Sequence, residues 1–228
     1  MVHVAEIKVM LSAAYKEAYV ELVPQFERAS GHKVTTIWAR SVDVVSRIRD
    51  GEIVDLAIIP ANSIDELIKL GKLAVRFDLM KSGIGVAVRA GARRPDISSG
   101  EALKREVLKA RSVVYSTGPS GVYLADLFQR MGIADAMQAK TRIVLGEPAG
   151  AVVARGEAEI GFQQVGELLP VPGIDLIGPL PPDIQHITVF SAGLHVSARE
   201  PEAARALVKL FTSAAAVPLL KQKGMEPV

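Results

Sequence analysis

Four short stretches of this chain combine small, hydroxyl-bearing or glycine residues between an apolar run and a helix-like run. They are Ser12-Ala13-Ala14-Tyr15, Arg40-Ser41, Thr117 to Gly121, and Gly146-Glu147-Pro148-Ala149-Gly150. The first N–H groups of a helix have no intrahelical acceptor, and the helix dipole places partial positive charge behind them. Small residues let a ligand approach those donors, so such stretches can hold an anion with few cationic side chains. Candidate contacts are therefore Ser12, Ala14, Tyr15, Arg40, Ser41, Thr117, Ser120, Gly121, Gly146 and Glu147. Taken singly, each stretch reads first as a capped turn, because serine caps helices and Gly-Pro pairs close strand-to-helix connections. The recurrence of four moves the balance towards binding.

The elements needed to position these stretches can be read from periodicity. EIKVMLS, KVTTIW, VDLAII, SVVYS, TRIVLG and AEIGFQQ are strand-like, and helical spacing follows most of them. Tyr19, Leu22, Val23 and Phe26 mark one helix face, in which Pro24 predicts a bend. Ser41 is read as the cap of a helix running to Gly51, and Ser63 as the cap of one closed by Gly71. Strands alternating with helices predict an α/β fold with mostly parallel sheets covered on both faces. Two long strands, at 81–91 and 185–198, bracket the middle of the chain. They predict two Rossmann-like lobes, residues 1–83 with 188–228 and residues 84–187, joined by a two-strand hinge near 81–86 and 185–192. In such sheets ligands sit beyond the carboxyl ends of the strands, where these four stretches fall.

Composition narrows the chemistry. The 228 residues are 49% hydrophobic and 23% charged, enough to bury the cores of two small lobes. A net charge of +2 without a basic stripe, and only 5% aromatics, argue against nucleic acid. No cysteine is present, so disulfides, thiolate metal sites and cysteine nucleophiles are excluded. His3, His32, His186 and His195 lack the spacing of a zinc site, so no metal is expected. Neither a Walker loop nor G-x-G-x-x-G occurs, so no nucleotide cofactor is expected. No apolar run approaches a membrane span, and the first residues do not read as a secretory leader. The expected location is the periplasm if a leader was removed and the cytoplasm otherwise.

SAAYKEAYVELVPQFERASGHKVTTIW, GEIVDLAIIPANSIDELIKLGKL, STGPSGVYL, ARGEAEIGFQQVGELLPVPGIDLIGPLPPDIQHITVFSAG and EPEAARALVKLFTS together resemble the molybdate-binding-like branch of bacterial extracellular solute-binding proteins. The resemblance covers nearly the whole chain. It implies a periplasmic-binding-protein type 2 fold that clamps a small anion between its lobes, as a monomer that delivers solute to the membrane subunits of an ABC transporter. It places the family's oxyanion contacts at Ala14, Ser41, Ser120, Gly146 and Gln164. A molybdate binder would have serine at Ala14 and tyrosine at Gln164, whereas Arg40, Gln163 and Gln164 offer other donors. Arginine takes a carboxylate bidentately, so an organic carboxylate is favoured over a molybdate-type oxyanion.

The alternative is an enzyme on the same scaffold, an aconitate isomerase-like activity that moves a double bond within an unsaturated polycarboxylate. That chemistry needs a base, an acid and donors for a dienolate. Tyr15, Glu147 and His186 are the candidates for proton transfer. Each has a plainer reading as a packing tyrosine, a solvated first-turn acid and a structural histidine. With no spacing that fixes a catalytic pair, binding is favoured over catalysis.

Overall fold

The computed structural model describes residues 4–228, so His3 lies outside the described residues. Tertiary contacts divide the chain into unit 1, Met1–Lys81 with Thr188–Val228, and unit 2, Ser82–Ile187.

In unit 1, β1 (Glu6–Leu11) lies between β2 (Lys33–Trp38) and β3 (Leu56–Pro60), parallel to both. β9 (Ile187–His195) runs antiparallel along β3. The helices are α1 (Lys16–Ser30), α2 (Ser41–Arg49), α3 (Ala61–Lys69), α9 (Pro201–Phe211) and α10 (Val217–Gln222), with a 3₁₀ turn at Ala13–Tyr15 before α1. β3, LAIIP, is buried throughout, as an interior strand covered on both faces must be. One face of this sheet packs under Tyr15, Tyr19, Phe26, Leu207 and Phe211, and the other under Val44, Ile48, Ile64 and Leu67.

Unit 2 repeats the scheme. β5 (Val113–Ser116) lies parallel to β6 (Thr141–Val144) and β7 (Ile160–Gln164), and β7 runs antiparallel to the distal part of β4 (Leu73–Arg89). β8 (Ile174–Pro179) also pairs antiparallel with β4. Around these strands lie α4 (Gly100–Lys109), α5 (Pro119–Arg130), α6 (Ala134–Gln138), α7 (Ala149–Ala154) and α8 (Val165–Leu168). Leu103, Leu124, Leu127, Phe128 and Phe162 form the larger core of this unit.

Several local expectations change. α1 continues through Pro24 without ending there. Pro24 and Val20, one turn before it, both lie on the exposed side, so the carbonyl that loses its partner is open to solvent. Arg40, not Ser41, is the N-cap of α2, and α3 starts at Ala61, directly after the extended Pro60. β4 starts at Leu73, ahead of the glycine-containing stretch that marked it in the sequence. β8 carries no clear signal because IDLIGP is half-buried and lies between proline-containing segments.

Candidate functional site

The candidate residues of unit 1 stand at the carboxyl ends of two adjacent parallel strands. Ser12, Ala14 and Tyr15 follow β1, Arg40 and Ser41 follow β2, and Leu11 is in register with Trp38. The Ala39 N–H donates to the Leu11 carbonyl at 3.0 Å, which ties the two loops together. Ser12 N–H donates to the Ile58 carbonyl at 3.1 Å, fixing the first loop against β3 as well. Tyr15 is wholly buried, with its ring edge-on to Phe211 at 5.4 Å between centroids.

Unit 2 builds the corresponding edge from β5, β6 and β7. Thr117 to Gly121 follow β5, Gly146 and Glu147 follow β6, and Gln163 and Gln164 end β7. Thr117 N–H donates to the Val144 carbonyl at 3.3 Å and Gly118 N–H to Ser116 Oγ at 3.3 Å, so this turn satisfies part of itself. Gly121 has a packing reason. A Cβ there would lie 1.7 Å from the Ser116 carbonyl oxygen, so only glycine lets α5 start this close to β5. Gly146 has φ +81° with open space around it, the left-handed geometry that a turn needs and glycine supplies.

The hydroxyls stand apart from this internally satisfied framework. Among the described residues, the buried side-chain oxygens without a hydrogen-bond partner are those of Ser12, Tyr15, Ser41, Ser120 and Thr141. Thr141 begins β6, at the opposite edge of its sheet. The other four stand at strand-to-helix junctions, Ser12 and Tyr15 between β1 and α1, Ser41 and Ser120 at the starts of α2 and α5. A buried polar group left unsatisfied costs about 1–3 kcal/mol, so the three hydroxyls of unit 1 and the single one of unit 2 each stand without the bond that would offset that cost. Ser41 and Ser120 also stand in the first turns of α2 and α5. There Asp43 and Val44 N–H return to the Arg40 carbonyl, and Gly121 and Val122 N–H to that of Gly118. Burial raises the Tyr15 phenol well above its usual pKa, which keeps it an O–H donor at any physiological pH.

The remaining candidates are engaged or lie elsewhere. Arg40 is exposed, and its fork is closed on Asp43, with Nε to Oδ2 at 2.6 Å and Nη2 to Oδ1 at 2.7 Å. Glu147 is held by Arg142 at 3.4 Å and Arg155 at 2.9 Å. Gln163 accepts from the Ala149 N–H at 2.9 Å and donates to Glu167 Oε1 at 2.9 Å, which also occupies the first N–H of α7. Gln164 is fully buried and pairs by register with Ile84 of β4. Ala14 is buried in the turn before α1, and Thr117 is exposed. His186 is exposed and stacks on Tyr123 at 4.6 Å. Among the described residues no group of histidine and carboxylate side chains could hold a metal ion.

One residue of this edge has no strong sequence signal. Glu167, four residues after Gln163 on α8, is partly buried, and burial lifts its carboxyl to about 7 against the weaker pull of the Gln163 amide. In the sequence it is one acid in an apolar segment, VGELLP, and nothing distinguishes it from a solvated helix residue.

A family description, bacterial extracellular solute-binding protein, matches residues 7–226. Aconitate isomerase from Pseudomonas sp. is 39% identical over 233 residues, covering 99% of this chain and 89% of that protein. The periplasmic molybdate-binding protein of Azotobacter vinelandii has a similar structure, with a TM-score of 0.79 at 20% identity over 96% of this chain and 98% of that one. The sulfate-binding protein SubI from Mycobacterium tuberculosis H37Rv gives 0.78 at 18% identity, over 99% and 88%. These structural matches establish a type 2 periplasmic-binding-protein fold.

Proposed function

Since this chain belongs to the bacterial extracellular solute-binding proteins, we propose that it binds a small organic polycarboxylate and presents it to an ABC transporter in the periplasm. The observation that carries this reading is the set of buried, unpartnered hydroxyls on Ser12, Tyr15, Ser41 and Ser120. All are neutral donors at strand-to-helix loops, suited to an anion held without direct charge neutralisation. The case for a carboxylate rests on the 39% identical aconitate isomerase, because Arg40 is engaged by Asp43. Calorimetric titration with trans-aconitate, cis-aconitate, citrate, molybdate and sulfate tests it. Binding of a polycarboxylate more tightly than molybdate is the expected result, and no heat from any of the five rejects the reading.

A second reading, isomerisation of the bound acid, is favoured by that same relative and by the Tyr15 phenol. A base would remove a proton beside a carboxylate, the hydroxyls would hold the dienolate, and a proton would return at the far end of the shifted double bond. Tyr15 suits the donor role and not the base, since it stays protonated. Glu147 and His186 are engaged as described above, so neither is a ready base. Proton NMR of cis-aconitate with the protein decides: appearance of trans-aconitate supports isomerisation, and an unchanged spectrum after long incubation at high protein concentration rejects it.

A further inference from the structure

At the end of the unit 2 sheet away from its strand-to-helix loops, side chains enclose a cavity of about 600 Å³. β5 and β7 begin there and the antiparallel β4 ends there, because Val113 and Val88 are both in register with Ile160. Ser116 and Gln164 close β5 and β7 at the opposite end, roughly 13 Å away along the strand. The floor of the cavity is apolar and buried, formed by Val88, Ala110, Ala158 and Ile160. Its rim is cationic: Arg89, Arg93, Lys109 and Arg111 line it, against two carboxylates, Glu106 and Glu159.

Those carboxylates do not cancel the charge. Arg111 is matched one for one by Glu159, which accepts from both its Nε and its backbone N–H. Glu106 is shared. Its side chain is only 8% exposed and meets both Arg93 and Lys109, the latter at 3.9 Å. Those two cations stay 70% and 68% exposed, so most of their donors are open. Arg89 has no acid partner among the described residues. Its Nη1 lies 3.5 Å from where a Cβ on Gly156 would stand, against the turn that follows α7. Glu157, next in that turn, is held by Arg142 and Arg155. Asp175 is turned to the Gly91 N–H at 3.1 Å and does not line the cavity. The lining therefore carries two more cations than anions.

We propose that this cavity is a second anion site, which takes a soluble phosphate monoester with a compact apolar body. A phosphate monoester carries close to two negative charges at neutral pH, which matches the excess of cations. Arginine forks suit phosphate oxygens, and the rim draws its cations from β4, the loop after it, α4 and the approach to β5. The apolar body covers the floor, and the volume is that of a small-molecule site. None of these residues takes part in the anion-binding reading above, so this site goes beyond it and stands or falls separately.

Calorimetric titration of the whole protein with phenyl phosphate and with inorganic phosphate tests the proposal, in native protein and in Arg89→Ala and Lys109→Ala variants. Both side chains are exposed, so the variants should melt with the native protein. Phenyl phosphate should bind the native protein about fivefold more tightly than inorganic phosphate, and each variant should weaken it about tenfold. In amide NMR of the native protein, phenyl phosphate should shift Arg89, Arg111 and Gly156, which locates the site even where a variant does not fold. No binding of phenyl phosphate at millimolar concentration overturns the proposal. So does binding that both variants retain at native strength, or amide shifts confined to the strand-to-helix loops. Equal affinity for the two probes overturns the assignment of an apolar body.

Discussion

The loop edges of the two units are built from the same parts and finished differently. In unit 1 the polar oxygens of Ser12, Tyr15 and Ser41 are buried and left without partners. In unit 2 only Ser120 is left so among the described residues of the corresponding loops, while Gln163, Glu147 and the N–H groups of Thr117, Gly118 and Ala149 are satisfied within the chain. The difference teaches that glycines and serines in a strand-to-helix loop do not by themselves mark a ligand contact. What distinguishes them is whether the fold has already completed their hydrogen bonds. By that criterion unit 1 keeps three buried hydroxyls whose hydrogen bonds the fold has not completed, and unit 2 is mainly a braced frame with one such hydroxyl and one carboxyl held only by the Gln163 amide.

The largest expected effect lies in the frame of unit 2. Gly121→Ala drives a methyl into the Ser116 backbone, so denaturant unfolding should show a loss of roughly 3 kcal/mol or more. A native-like midpoint would mean that α5 can retreat from β5 at little cost.

Glu167→Gln comes next, and its sign follows from the raised carboxyl. The native state holds a proton that the unfolded state releases above about 4.5, so the folded protein is favoured fully below that pH. This contribution is lost as pH rises through about 7. Between those limits native stability should fall relative to the variant by about 2–3 kcal/mol, read from denaturant midpoints at pH 5 and pH 8. Parallel profiles for the two proteins would show that Glu167 is not desolvated in solution.

Tyr15→Phe separates stability from binding. Deleting an unpartnered hydroxyl should leave thermal stability unchanged or slightly higher, while anion affinity falls about ten- to hundredfold, the worth of a hydrogen bond to a charged group. A stability loss above about 1 kcal/mol would mean that the phenol has a partner inside the protein.

The smallest effect is expected at Arg40. Because Asp43 already occupies its fork at the exposed surface, Arg40→Ala should change affinity by no more than about twofold in titration calorimetry. A large loss would mean that the arginine leaves Asp43 for the ligand.

Much of this arrangement was legible in the sequence because it depends on local pattern. The alternation of VDLAII-type strands with helical stripes determines an α/β fold, and small residues between them point to the loops. The state of each loop residue was not legible, since it depends on partners distant in sequence. Arg40 reads as a carboxylate clamp until Asp43, three residues on, is seen to hold it. Gln163 reads as a free amide until its bonds to Ala149 and Glu167 are known. Gly121 reads as a ligand contact, but the Ser116 carbonyl explains it. Glu167 gained no attention because its character comes from burial, which one acid in an apolar segment does not reveal.

The claim that unit 1 leaves three hydroxyls for an anion is tested most directly by thermal unfolding of the native protein and of a Ser12→Ala, Tyr15→Phe, Ser41→Ala triple variant, each with and without trans-aconitate. At a concentration a hundredfold above Kd the native protein should melt about 5 °C or more higher, and the variant, equally stable alone, should show almost no rise. An equal rise in both proteins would contradict the account.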